Sequence, residues 1–460
     1  MNKLDDSRKY RKECRLKVSN EEKKENKQKN KKKSKAGLII AGAVIAVIAV
    51  VVFIFCSFGG FGTGDCADVE EFAKYAAGVD SITIPSGARI VALGEATHGT
   101  RECHELKLTV FREMVEREGV RAFVIEGDFG GSEHVNRYIH GGEGSATEAA
   151  EAIGFAIYCT DEMAELIQWM RDYNDSAPEE DKLSFYGNDM QRYEYNYRYL
   201  IENAKMLGID TGELEKLIEG EELTEEYTSE QRAEIITAVK NEIVGMANNE
   251  LGDTEEQVAE FAVHHADILL QNIELGEAYK KPGYTGTALR DRYMAENVMW
   301  VLSQEEKKGN ERIFVSAHIG HIEQNGTYNS EEAKVMGHFL AYELGEAYYA
   351  IGCDFYKTEV NIPNNNGKRL NRTFYSYDPL AKAAKKSGFD IAYLDFAQVP
   401  QDSPLRASID NYLYMGSLGE SYSAVMEVLP FTYRVWRSPS QTFDSIILIS
   451  NGHATKIWRK

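Results

Sequence analysis

Hydrophobic and polar positions along the 460-residue chain fall into three regimes. The first is an unbroken apolar run, Gly37 to Phe55 (GLIIAGAVIAVIAVVVFIF), inside a stretch from Ala36 to Gly64 that holds no charged residue. At about 1.5 Å of rise per residue, a helix of that length crosses roughly 30 Å of hydrocarbon. A buried core helix would keep a polar face, and this run has none, so the pattern predicts a transmembrane helix over 37–57.

The second regime alternates short apolar runs with helical periodicity. Strands are expected at Arg89–Leu93, Ala122–Ile125, Leu183–Tyr186, Arg312–Val315, Tyr348–Ile351, Ile391–Leu394 and Ser445–Ile449. Apolar residues at three- and four-residue spacing predict helices over Glu102–Glu118, Glu162–Tyr173, Ala288–Leu302 and Ala333–Leu344. This alternation predicts an α/β fold with a largely parallel central sheet flanked by helices. The third regime, about 193–286, is Glu-rich, has no convincing strand and keeps helical periodicity from Gln231 to Ala278. It reads as a helical insertion between two strands, either a cap over the site or a passive addition. No internal repeat is visible.

Charge sharpens this division. Residues 1–36 carry 15 Lys/Arg against 6 Asp/Glu, a net of +9, so the formal total of −21 leaves −30 for the remainder. Lysines before an apolar span hold that end in the cytoplasm, which predicts an extracytoplasmic domain on a single-pass anchor. A cleaved signal peptide wants a shorter apolar core and a small-x-small site; the following CSFGGFGTG offers only a weak one, so an uncleaved anchor is favoured. The expected layout is a basic arm over 1–36, the membrane helix over 37–57, a Gly-rich stalk over 58–66 and a catalytic domain over 67–460. The strongly acidic domain argues against a nucleic-acid partner. Six cysteines without any Cys-x-x-Cys are neither a disulfide scaffold nor a zinc ribbon. In an oxidising exterior, Cys66, Cys103, Cys159 and Cys353 allow up to two bridges, their pairing left open.

Chemistry gathers where the apolar strands stop. RIVAL is followed by Gly94-Glu95-Ala96-Thr97-His98-Gly99, AFVI by Glu126-Gly127-Asp128, LSFY by Gly187-Asn188-Asp189, and RIFV by Ser316-Ala317-His318-Ile319-Gly320-His321. In a parallel sheet these tails emerge at one carboxyl edge, where open α/β folds place ligands. Glu95 and His98 lie three apart in a Gly-flanked turn, a spacing that lets a carboxylate orient an imidazole base. Glu126 one residue past an apolar strand needs a partner. The candidate catalytic set is therefore His98, Glu95, Glu126 and His318. Lys107, Arg101, Asp189 and His321 are candidates for substrate binding, with a solvated helix face the alternative for Lys107 and Arg101. His104, His134, His140, His264 and His265 read as surface or structural. There is no Gly-x-Ser-x-Gly elbow, no P-loop, and no second histidine after His104-Glu105 to complete a zinc-protease helix.

The segments LGEATHGTRE (93–102), Leu106-Lys107, FVIEGD (123–128), FYGNDMQ (185–191), LRDRYMAENV (289–298), SAHIGHI (316–322) and Met336-Gly337 occur in the order seen in the erythromycin esterase family. The resemblance covers about residues 85–355 well; the N-terminal anchor is not part of the family core. It implies hydrolysis of a macrocyclic lactone or other carboxylic ester in an α/β fold with helical additions around a deep cleft, without a cofactor. It further implies that His98 activates water, that Glu95 and Glu126 position it, and that His318 supports proton transfer or the oxyanion. Where Lys107 stands, some macrolide-hydrolysing members carry arginine, so a point charge replaces a fork donor and the substrate is put in question. Two other readings compete. A divalent metal such as zinc or manganese would find N and O ligands in Glu95, His98, Glu126 and His318. A surface-anchored, non-catalytic binding or envelope-assembly module would use the same cleft.

Overall fold

A computed structural model describes residues 4–57, 64–220, 222–247, 251–328 and 332–458. The chain divides into two units, Met1–Gly64 and Asp65–Lys460. The first is a single helix, Leu4–Ser57. Its stretch from Leu16 to Ser57 is long and apolar enough to cross a membrane, and its apolar side chains, Leu38, Ile39, Ile45 and Phe53 among them, are exposed. The Gly-rich stalk expected over 58–66 lies for the most part outside the described residues.

The second unit is built on an eight-stranded sheet. Its strands are β1 (Ile90–Glu95), β2 (Ala122–Asp128), β3 (Ser184–Asp189), β4 (Ile313–His318), β5 (Tyr348–Pro363), β6 (Arg369–Tyr375), β7 (Ile391–Asp395) and β8 (Ser445–Gly452). They lie in the order β3-β2-β4-β1-β5-β8-β7, with β6 paired to the extension of β5. The first six in that order run parallel; β7 and β6 are antiparallel. All seven expected strands are present. β6 escaped the pattern because RLNRTFY is half-exposed and polar, lacking the apolar run that marks a strand buried on both faces.

Period-two alternation sends successive side chains of each central strand to opposite cores. Val91, Leu93, Phe123, Ile125, Phe185 and Phe314 face one layer. That layer is covered by Val110, Phe111 and Met114 of α1 (Arg101–Glu118) and by Met163, Leu166 and Met170 of a helix over Asp161–Ser176. Ile90, Ala92, Val124, Ile313 and Val315 face the other, under Met294, Val298 and Leu302 of the long helix Thr285–Lys307. Each such fully buried aliphatic or aromatic side chain contributes about 1.5–3 kcal/mol. α1 ends where Gly119 takes φ +67, the left-handed cap that favours glycine.

Between β3 and β4 the chain is helical, with Glu194–Met206, Ser229–Ala247 and Asp253–Tyr279 enclosing a core of their own around Leu200, Ile236, Ile243, Ala262 and Leu269. The helix expected from Ala333 starts instead at Met336, because Lys334 pairs with Thr327 in a short bridge and the Met336 amide is taken by the Asp291 carboxylate.

Candidate active site

Four strands adjacent in the sheet, β3, β2, β4 and β1, carry Asp189, Glu126, His318 and Glu95 at or within two residues of their carboxyl ends. Glu95 and His318 stand in register across the β1–β4 ladder, which puts an acid and an imidazole side by side. The turn after β1 is pinned on several sides. Leu418 donates to the Ala96 carbonyl at 2.8 Å, and both Asn361 and Thr455 donate to Gly99 O at 3.0 Å. A Cβ on Gly99 would sit 2.2 Å from the Asn361 carbonyl oxygen, so only glycine closes this turn against β5.

His98 and Glu95 meet within this turn. His98 Nδ1 lies 2.8 Å from Glu95 Oε1, and Lys107, fully buried on α1, donates from Nζ to Glu95 Oε2. Burial alone would push the Glu95 carboxyl up, but Lys107 and His98 hold it well below the usual carboxylate range. Burial disfavours charge on His98, yet the Glu95 carboxylate outweighs it and raises the imidazole pKa. Because Nδ1 donates to a carboxylate, the lone pair of the neutral ring is at Nε2. The His98 carbonyl accepts from His104 Nε2 at 2.9 Å; burial and the Lys107 charge lower His104 to about 3, so it is a neutral structural donor.

His318 complements this pair. Its Nδ1 accepts from the Gly320 amide at 3.2 Å, which places the ring proton on Nε2. That nitrogen is buried and has no partner among the described residues. Burial and the neighbouring His98 lower its pKa to about 3, so the ring is a neutral N–H donor. The His98 and His318 ring centres are 4.9 Å apart.

A second cluster backs the first. Glu126 accepts from the His318 amide at 2.8 Å and from Arg290 Nη2 at 2.9 Å, with His321 Nε2 3.3 Å away. Burial works against its charge, but His321 and Arg290 keep the carboxyl far below its ordinary range. Arg290 also holds Asp189, its Nε donating to Oδ2 at 3.0 Å. His321 Nδ1 meets Asp291 Oδ1 at 2.7 Å, and Asp291 and Glu126 lift its pKa to about 10 against burial, while Arg290 Nη1 lies 3.2 Å from Nε2. Tyr328 donates to the other Asp291 oxygen at 2.9 Å.

Of the residues expected from sequence, Glu95, His98, Lys107, Glu126, Asp189, His318 and His321 come together. Arg101 does not. As the first residue of α1 it turns to the surface, with Nη2 3.3 Å from Glu102 and Nε 3.3 Å from Glu105. Arg290, Asp291 and Tyr328 were missed. The first two lie in Leu289-Arg290-Asp291-Arg292, whose apolar periodicity marks a helix and gives no hint that two of its charges turn inward. Tyr158 was missed as well; its hydroxyl is buried and has no partner among the described residues.

The carboxylates that could serve a metal are engaged by protein cations and amides in this structure. Both oxygens of Glu95 and of Glu126 are engaged, with Lys107 and Arg290 supplying the positive charge a metal would bring, and His318 Nδ1 is used by the backbone. Among the described residues no group of three or more His, Cys, Asp or Glu is arranged to hold an ion. A cavity of about 740 Å³ has Asp128, two residues past Glu126, on its wall together with Phe155, Arg192 and Tyr195. His98, His318 and His321 do not line it.

Comparison with known proteins bears on the family and the fold. The family model described as erythromycin esterase matches residues 115–452, nearly three quarters of the chain. That span contains Glu126, Asp189, Arg290, His318 and His321 and begins after the Glu95–Lys107 segment. An erythromycin esterase type II from Escherichia coli is 22% identical over 379 residues, covering 74% of this chain and 89% of that protein. A solved protein from Bacillus cereus superposes with a TM-score of 0.71 at 20% identity, over 85% of this chain and all of that one. A variant of an erythromycin esterase, solved in an open conformation, superposes with a TM-score of 0.57 at 17% identity, over 81% of this chain and 93% of that one. At these identities the structural likeness establishes the fold.

Proposed function

Because the chain belongs to the erythromycin esterase family, whose membership supports a hydrolase, we propose that it cleaves a carboxylic ester, a macrolactone included, with a water activated at His98. The observation that carries this reading is the pairing of two opposed imidazoles. One is oriented by Glu95 so that a basic nitrogen is free; the other, His318, keeps an unpartnered buried N–H.

In the proposed reaction, water attacks the ester carbonyl carbon as its proton passes to His98 Nε2. The negative oxygen of the tetrahedral intermediate accepts from His318 Nε2–H, a donor already desolvated and so in no need of reorganisation. Collapse expels the alcohol oxygen, which takes the proton back from His98. Ester and water become acid and alcohol, and no covalent adduct with the protein forms. Glu95 keeps the His98 ring oriented and stabilises the imidazolium, and Lys107 fixes Glu95. Arg290 and His321 hold Glu126, and Glu126 holds the His318 strand end in place through its backbone amide.

The same reading makes the apolar helix an uncleaved membrane anchor, with residues 1–36 in the cytoplasm and the catalytic unit outside. There the enzyme would meet a macrolide before the drug enters the cell, and hydrolysis would contribute to resistance. The test is to incubate the full chain in detergent with a panel of macrolides and simple esters and follow products by mass spectrometry. The reading expects a product heavier by one water from at least one of them. Binding without turnover across the panel would leave a non-catalytic module in its place.

A further inference from the structure

The mechanism leaves two buried thiols unused directly beside it. Cys103 lies in the first turn of α1, one turn before Lys107, and its carbonyl accepts from Lys107 Nζ at 3.4 Å. Cys353 lies on β5, two residues past Ile351, the partner of Leu93 on β1, which sets it level with Glu95 on the same face of the sheet. The side chains are 2% and 1% exposed and lie in the same core, where Cys353 is the neighbour that acts most strongly on the Cys103 thiol. The other buried thiol of this unit, Cys159, turns to the Phe155 carbonyl at 3.9 Å. Cys66 is half-buried, packed beside the core that contains Phe72 and Leu380.

We propose that Cys103 and Cys353 form a disulfide that staples α1 to β5 beneath the Lys107–Glu95 pair, made by thiol–disulfide exchange with an oxidised thiol donor outside the membrane. This inference rests on the outward topology proposed above and not on the identity of the substrate. In the first step one cysteine sulfur attacks the donor disulfide and releases one donor thiol. In the second, the other cysteine sulfur displaces the remaining donor thiol. Two protein thiols are oxidised, one donor disulfide is reduced to two thiols, and the two protons leave with them. The contact with Cys353 and burial hold the Cys103 thiol well above its ordinary pKa, so little thiolate exists once α1 has docked. Exchange therefore belongs to folding, before the helix closes over the strand. The bridge would close a loop of about 250 residues and so constrain the unfolded chain strongly. It would also fix the helical turn from which Lys107 reaches Glu95.

The experiment isolates the full chain from membranes without reductant, denatures it in the presence of a thiol-alkylating maleimide and maps the peptides by mass spectrometry. A second arm refolds the reduced full chain in detergent with a mixture of oxidised and reduced glutathione. The expected result in both arms is a direct link between the peptides holding Cys103 and Cys353, labelled only after reduction, with Cys66 and Cys159 labelled without it. Free Cys103 and Cys353 in the membrane-derived chain, with the link forming in glutathione, would uphold the pair and refute the outward topology. Free or glutathionylated thiols in both arms overturn the pair. Reductant should also lower the melting temperature of the wild type by several degrees and leave Cys353→Ser unmoved; an equal response in both proteins counts against the staple. None of these readouts depends on ester hydrolysis.

Discussion

Replacing Arg290 by methionine tests whether the second cluster is held by charge. The guanidinium, its side chain 11% exposed, lies between Asp189 and Glu126, which are 0% and 7% exposed. Methionine keeps much of the volume and leaves both buried carboxylates without the cation they share. Breaking a buried ion pair from one side costs about 3–5 kcal/mol. The upper end applies here because two carboxylates lose the same partner, although His321 still faces Glu126. The assay is urea unfolding of the full chain in detergent, followed by tryptophan fluorescence, for wild type and variant at pH 7 and near pH 3. The sign of the pH effect follows from Glu126. Its folded pKa is depressed, so its stabilisation is present above the unfolded value of about 4.3 and is lost as pH falls through the folded value. The part of that depression that Arg290 supplies beside His321 disappears in Arg290→Met. The stability gap is therefore full at pH 7 and narrows below about pH 4.3. A loss under about 1 kcal/mol at pH 7 would refute the reasoning, since it would price the ion pair as surface-exposed. So would a gap of equal size at both pH values, which would point to packing alone.

Three further outcomes are expected. His98 must be neutral to accept a proton, and Glu95 raises its pKa, so the acidic limb of kcat/KM should lie above the ordinary histidine value of about 6.5. Glu95→Gln should move that limb to lower pH, and a limb that stays in place would remove Glu95 from the role given to it. His318→Phe deletes the unpartnered Nε2–H and should lower kcat about 10²–10³-fold with KM little changed; an effect confined to KM would make His318 a binding residue instead. Exhaustive chelation followed by metal analysis should leave activity intact, because Lys107 and Arg290 already supply the charge at both carboxylates; activity that returns only on adding zinc or manganese would contradict this.

The sheet was legible because its strands are buried on both faces and so read as short apolar runs with polar tails. The same tails carried most of the site, since parallel strands deliver their ends to one edge. Lys107 was visible as a charge between Leu106 and Leu108 on a helix, though not its bond to Glu95. Arg290 and Asp291 were not legible in that way. On a helix, inward-turned charges are distinguished from solvated ones only by what packs opposite, and their partners are 101 and 164 residues away for Arg290, 30 for Asp291. Arg101, read as a binding candidate or a solvated helix face, takes the solvated face, its side chain set toward Glu102 and Glu105. The antiparallel β6 and the ladder of Leu413–Gly416 with Arg434–Arg437 were hidden because their residues are polar or half-exposed and their order is set by tertiary pairing.

The central claim, that a water activated at His98 cleaves an ester, is tested most directly by comparing wild type with His98→Asn on whichever ester the wild type hydrolyses, at equal thermal stability. The account predicts a fall in kcat of about 10²–10⁴-fold with substrate binding retained. Turnover by His98→Asn at the wild-type rate would contradict it.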